Sequence, residues 1–134
     1  MIDLYEIAEK DNIIVEKLSV PKNKSLSTRI GNKDFIAIDE NTMKSAAEER
    51  THLAHELGHC ETGAFYNIYS NIDIRGRAEY RANRWAVLKC VPKAELICLL
   101  KKDYRIWELA EHFEVTEDFI KKSCTYYFEH GIAG

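Results

Sequence analysis

The chain has 134 residues, 46% hydrophobic and 31% charged, the balance of one ordinary globular domain with enough apolar material for a core. A net charge of −3 gives no bulk attraction to nucleic acid or anionic lipid. No apolar run approaches membrane-spanning length, and the first twenty residues carry acids rather than a basic-then-apolar leader, so a cytoplasmic protein working away from membranes is expected.

Taken in order, Met1 to Lys10 sets Ile2, Leu4, Tyr5, Ile7 and Ala8 near helical spacing and predicts a short amphipathic helix. Asn12 to Val20 is β-branched and stops at Pro21, as a strand does. Leu26 to Ile30 reads as a second strand turning at Gly31-Asn32, and Phe35 to Ile38 as a third, short and buried. Three short strands make a small sheet packed on one side. After the turn Asp39 to Thr42, Ser45 with Glu48 forms a capping box, and apolar positions 43, 46, 47, 54 and 57 carry a helix through His59. Thr62 to Arg77 reads as a long connection, and connections of that length are usually functional or mobile. A helix over Arg77 to Lys89 ends before Pro92, and a further apolar helix covers 92 to 101. Arg105 to Phe113, Val115-Thr116 and Glu117 to Phe128 read as helix, tight turn, helix. The expected class is α+β, a single domain over 1–134: sheet plus active-site helix over about 1–62, then a helical part over about 77–130.

The chemistry concentrates in His55, Glu56 and His59, an H-E-x-x-H run on the central helix. Residues four apart share a helix face, so both imidazoles can hold one metal ion. Glu56 stands about 100° round the helix, where a general base would take a proton from water. Gly58 within the run lets another element approach closely. A hydrolytic site wants a third protein ligand and an open position. His52 lies seven residues before His59, about 10.5 Å along the axis, too far for one ion to reach both with His55. His112 and His130 sit on peripheral segments, and Glu61 points away. Glu79 on the following helix remains, its alternative being an ion pair with Arg75, Arg77, Arg81 or Arg84. Tyr66 and Tyr69 in the connection are weaker candidates for an oxyanion or substrate contact. Imidazole with carboxylate suits one zinc per chain, and also manganese or iron. Cys60, Cys90, Cys98 and Cys124 show no C-x-x-C spacing and read as reduced thiols, Cys60 in packing.

H-E-L-G-H followed by E-x-x-A-N-x-W-A, ending at Pro92, resembles the ImmA/IrrE family of zinc metallopeptidases. The element order is similar over about 1–128, with the specific motifs inside 35–92. The resemblance implies a zincin-like fold, His55, His59 and Glu79 as zinc ligands, and Glu56 as catalytic base. It places Asn83 at the family's A-N position, from which it could accept a ligand histidine's second N–H. Many relatives write E-x-E-A-N, whereas Arg81 stands at the second position here. Relatives often carry a fused helix-turn-helix in front; its absence here is consistent with a substrate supplied as a separate chain. The implied function is regulated proteolysis, cleavage of a helix-turn-helix repressor of a phage or integrative mobile element.

Two other readings start from the residues. Zinc could be structural, or the module catalytically silent, with Asp73 or another residue of the 62–77 connection closing the ligand set. Alternatively, Trp107 to Phe128 could dock protein or DNA as a helix-turn-helix. Against DNA, Glu114 occupies the turn where glycine is usual, and residues 101–130 carry five Lys/Arg against seven Asp/Glu.

Overall fold

Local signals start and stop each element of the computed structural model, which describes residues 1–134. Asp3 caps helix α1 (Leu4–Lys10) by accepting from the Tyr5 and Glu6 amides. Strand β1 (Ile13–Lys17) follows, shorter than the β-branched run suggests: the Leu18 amide still donates to the Ile38 carbonyl, but the Val20 amide turns to the Asp39 carboxylate. Strands β2 (Ser25–Ile30) and β3 (Lys33–Ile38) form a hairpin at Gly31, whose φ of +62° favours glycine. The sheet order is β1-β3-β2, with β1 parallel and β2 antiparallel to β3. The central strand buries Ile36 and Ile38. The hairpin register sets Ser27 opposite Ile36 and Ser25 opposite Ile38, so the edge strand β2 turns two hydroxyls toward the side where the core lies.

Across that face runs helix α2 (Ala46–Thr62), which starts three residues later than expected and leaves Met43 outside. Ser45 accepts from the Glu48 amide at 3.1 Å, but the Glu48 carboxylate turns to the Lys44 amide and Lys24 ammonium, so only half of the capping box forms. Gly63, with φ +66°, ends α2 in the left-handed conformation. The connection then spans only residues 63–71. Asn71 caps helix α3 (Ile72–Cys90) through the Ile74 amide, several residues before the helix start at Arg77 read from the sequence. Helix α4 (Lys93–Lys101) follows Pro92. Helices α5 (Ile106–Phe113) and α6 (Glu117–Cys124) flank a turn in which Glu114 adopts the left-handed φ of 55° usual for glycine. The last helix is shorter than the Glu117–Phe128 expectation; the backbone widens into a π turn over Thr125–Glu129.

The result is the expected α+β arrangement: a small mixed sheet, helix α2 packed on it and a mostly helical C-terminal half. One core joins them, from Leu4, Ile36, Ile38, Leu53 and Leu57 through Val87 and Leu96 to Phe113, Ile120 and Tyr127. The backbones of α2 and α3 approach closely at Gly58: a Cβ there would lie 2.3 Å from the Ala82 carbonyl oxygen. Only glycine allows this contact, and it sets α3 against the face that carries the histidines.

Candidate metal centre

His55 and His59 stand one helical turn apart on α2, ring centroids 4.8 Å apart and nearly perpendicular, with their Nε2 atoms 3.2 Å apart. The α2–α3 contact brings Glu79 of α3 to the same point, with Oε2 2.9 Å from His55 Nε2 and Oε1 3.5 Å from His59 Nε2. The alternative of an ion pair with a neighbouring arginine is not what the structure adopts. Arg75 donates to the Ser70, Asn67 and Ile68 carbonyls, and Arg81 donates to that of Thr62.

The outer sides of both imidazoles fix their tautomers. His59 Nδ1 donates to the Ala64 carbonyl at 2.5 Å, an atom that can only accept. Asn83 Oδ1, one turn beyond Glu79, accepts from His55 Nδ1 at 2.9 Å and from Lys122 Nζ at 3.4 Å. With Nδ1 of each ring donating outward, Nε2 is the atom that both rings turn toward each other and toward the Glu79 carboxylate. Two ring nitrogens and a carboxylate converging in this way make a donor set suited to a cation. The Nε2–Nε2 spacing of 3.2 Å, and the 2.9 and 3.5 Å from the two rings to separate Glu79 oxygens, lie near the edge of about 3.3 Å expected for a tetrahedral ion with bonds near 2.0 Å. The residues present therefore fit a divalent ion, and His55, His59 and Glu79 together can hold one. Burial would lower the His59 pKa, but hydrogen bonds with Glu79 and Ala64 outweigh it and raise the value. Burial would raise Glu79, but His55, His59 and Tyr66 hold it well below the usual carboxylate range.

Glu56 lies on the next face of α2, 7% exposed. Ser25 Oγ donates to its Oε2 at 2.7 Å and Ser27 Oγ to its Oε1 at 2.6 Å, so β2 fixes both carboxylate oxygens. Each oxygen keeps a further lone pair for a proton. His52 Nδ1 sits 3.0 Å from Ser25 Oγ, extending the chain to a third polar group. Burial lowers the His52 pKa against the opposing pull of Glu48 and Glu56, with smaller help from Lys24 and His55. These groups line a cleft of roughly 360 Å³ that also includes Asn23, Leu26 and Phe65.

Of the other sequence candidates, Tyr66 reaches the centre but uses its hydroxyl on Glu79 Oε1, at 2.5 Å. That bond and then burial push the phenol up to about 12. Tyr69 is 89% exposed and does not line the cleft. Asp73 is exposed in the first turn of α3, outside the metal-ligand cluster. His112 pairs with Glu95 and His130 stacks near Tyr80 and Tyr126, both away from the cleft. All four cysteines are free thiols. Sequence reasoning missed Ser25, Ser27 and the Ala64 carbonyl; the S-x-S alternation in β2 is the one signal that could have suggested the serines.

The Peptidase_M78 family model, described as the IrrE N-terminal-like domain, matches residues 8–125. Neither a curated relative nor a solved structure matches the chain. No helix is long and apolar enough to cross a membrane.

Proposed function

The chain belongs to the Peptidase_M78 family of IrrE N-terminal-like domains, and we propose that it is a zinc-dependent endopeptidase of the cytoplasm that cleaves a separate helix-turn-helix repressor of a phage or integrative mobile element. The observation that carries the hydrolytic reading is the convergence of His55, His59 and Glu79 beside a buried carboxylate, Glu56, that no cation neutralises. The repressor as substrate rests on the resemblance of H-E-L-G-H and E-x-x-A-N to regulatory peptidases.

His55, His59 and Glu79 would hold the zinc, with Asn83 and the Ala64 carbonyl keeping the two rings in the ligating tautomer. When bound, the ion supplies a Lewis acid that acidifies water and polarises the scissile carbonyl. Glu56 accepts the water proton at a carboxylate oxygen. The water oxygen bonds to the carbonyl carbon, the C–N bond breaks, and Glu56 returns the proton to the departing amine. Ser25 and Ser27 hold the base still between the two transfers. Because β2 is an edge strand beside the cleft, its free backbone groups are available to an extended substrate segment.

The test is incubation of the zinc-loaded protein with purified helix-turn-helix repressors encoded beside it, with fragments identified by mass spectrometry. Glu56→Gln should keep its zinc and lose cleavage. Cleavage retained by that variant would refute the mechanism. A zinc-loaded native chain that leaves every such repressor intact would refute the substrate.

A further inference from the structure

A second concavity lies apart from the metal cleft. It is a groove of roughly 670 Å³ between α1, the first half of α2 and the α5–α6 pair. Its floor is aliphatic, from Leu4, Leu53, Ala110 and Val115, and Trp107 stands on its wall 51% exposed. Five acids line it (Asp3, Glu49, Glu111, Glu114 and Glu117) against one base, Arg50. Asp3 is engaged as the cap of α1, and Glu49 accepts from Tyr5 and pairs with Lys17. Glu111, Glu114 and Glu117, grouped on the α5–α6 turn, have neither an ion pair nor a side-chain hydrogen bond. Arg50 does not neutralise them from the rim: its Nη1 donates to the Ile2 carbonyl, and its Nε and Nη2 are sealed from solvent.

An apolar floor edged by unpaired carboxylates is complementary to an apolar row flanked by lysine or arginine. The walls are helices and expose no strand edge, so an incoming segment cannot pair its backbone with this surface. A helix satisfies its own backbone and presents apolar side chains at i, i+3, i+4 and i+7. We propose that this groove is the docking site for a basic amphipathic helix of a partner protein. The α5–α6 pair, whose acids repel phosphate, thereby serves as one wall of a protein-binding groove. Arg50 and His59 lie nine residues apart on the same helix, about 13.5 Å along its axis, so a partner held here is held at a fixed distance from the metal centre. The proposal does not depend on hydrolysis, and its test needs no metal.

The probe is a 14-residue amidated peptide of leucine and lysine with leucines at helical spacing, titrated into the full chain. Tryptophan fluorescence and calorimetry read the binding. The comparison peptides are a scramble of the same composition and a leucine–glutamate counterpart. Saturable binding of one amphipathic basic peptide per chain, with a change in Trp107 emission, is expected. Glu111→Gln combined with Glu114→Gln should weaken it about tenfold at low ionic strength, the loss expected from two exposed charge contacts. Trp107→Ala should weaken binding and remove the emission change. These side chains are exposed, and unchanged melting temperatures would show that the variants fold. Equal binding of the scramble, a preference for the glutamate peptide, or undiminished binding by the folded variants would overturn the proposal. So would self-association of the chain that Trp107→Ala abolishes, which would make a second copy the occupant.

Discussion

Replacing Gly58 with alanine should damage the metal centre through the backbone, although alanine is the better helix former. The added Cβ would lie 2.3 Å from the Ala82 carbonyl oxygen and 2.9 Å from both its carbonyl carbon and Cα. A normal C···O contact is about 3.3 Å or more, so α3 must retreat from α2 by about 1 Å. The obstacle is backbone, which no rotamer change can move, placing the overpacking cost near the upper end of about 1–3 kcal/mol. Gly→Ala in a helix returns about 1 kcal/mol. The net loss is about 2 kcal/mol, a drop in melting temperature of roughly 5–10 °C for a domain of this size. The same retreat carries away Glu79, three residues before Ala82 on α3. Metal sites hold their ligand distances to about 0.2 Å, so zinc should bind at least about tenfold more weakly. Gly76→Ala is the internal control. It sits in helix α3 with nothing within 4 Å of the added Cβ, and should be neutral or stabilise by up to about 1 kcal/mol. Circular-dichroism melts and zinc competition with a chromophoric chelator measure both. A Gly58→Ala protein that melts with the parent and binds zinc equally would refute the reasoning.

Asn83→Ala leaves His55 Nδ1–H without its acceptor, and zinc affinity measured by the same competition should fall about 10–100-fold, with Asn83→Asp restoring part of it. Ser25→Ala with Ser27→Ala frees the Glu56 carboxylate; kcat for any cleaved peptide should fall roughly tenfold or more while zinc stoichiometry stays unchanged, and an unaltered kcat would remove the serines from the mechanism. Glu61 gives a pH signature away from the site. Burial, then the adjacent Asp11 carboxyl, pushes its pKa from 4.5 up to about 7. Proton binding there favours the folded state, so that contribution to stability is complete below 4.5 and is lost as pH rises through 7. Glu61→Gln should therefore flatten melting temperature against pH in this window and gain up to about 1 kcal/mol at pH 8, solvent screening reducing the full shift. A variant that loses stability as steeply as the native chain would contradict this.

The parts of the centre legible in the sequence are those fixed by helical geometry alone. His55 and His59 need only the i, i+4 spacing to share a face, and Gly58 between them announces a close approach that the structure realises at Ala82. Glu79 and Asn83 come from a second helix, but their spacing within it already sets the carboxylate and the amide one turn apart. Ser25 and Ser27 were not legible because their meeting with Glu56 depends on the register of β2 against β3, which the Gly31 turn sets. The start of α3 was misplaced for a local reason. Ile72 to Arg77 carries exposed isoleucines and Gly76, a weak helical pattern, and the Asn71 cap initiates the helix there. The early end of α6 reflects tertiary contact instead: Tyr127 buries its ring and donates to the Val91 carbonyl at 2.7 Å, within the π turn. The groove was invisible for the same reason as the serines, since Leu4, Leu53 and Trp107 share no periodicity along the chain.

The central claim is that His55, His59 and Glu79 form one metal site with Glu56 beside it and not in it. Zinc stoichiometry by elemental mass spectrometry, on the native chain together with Glu79→Gln and Glu56→Gln, tests this most directly. About one zinc per chain in the native protein and in Glu56→Gln, with zinc lost or sharply weakened in Glu79→Gln, is the expected result. No bound zinc in the native chain, or full retention in Glu79→Gln, would contradict it.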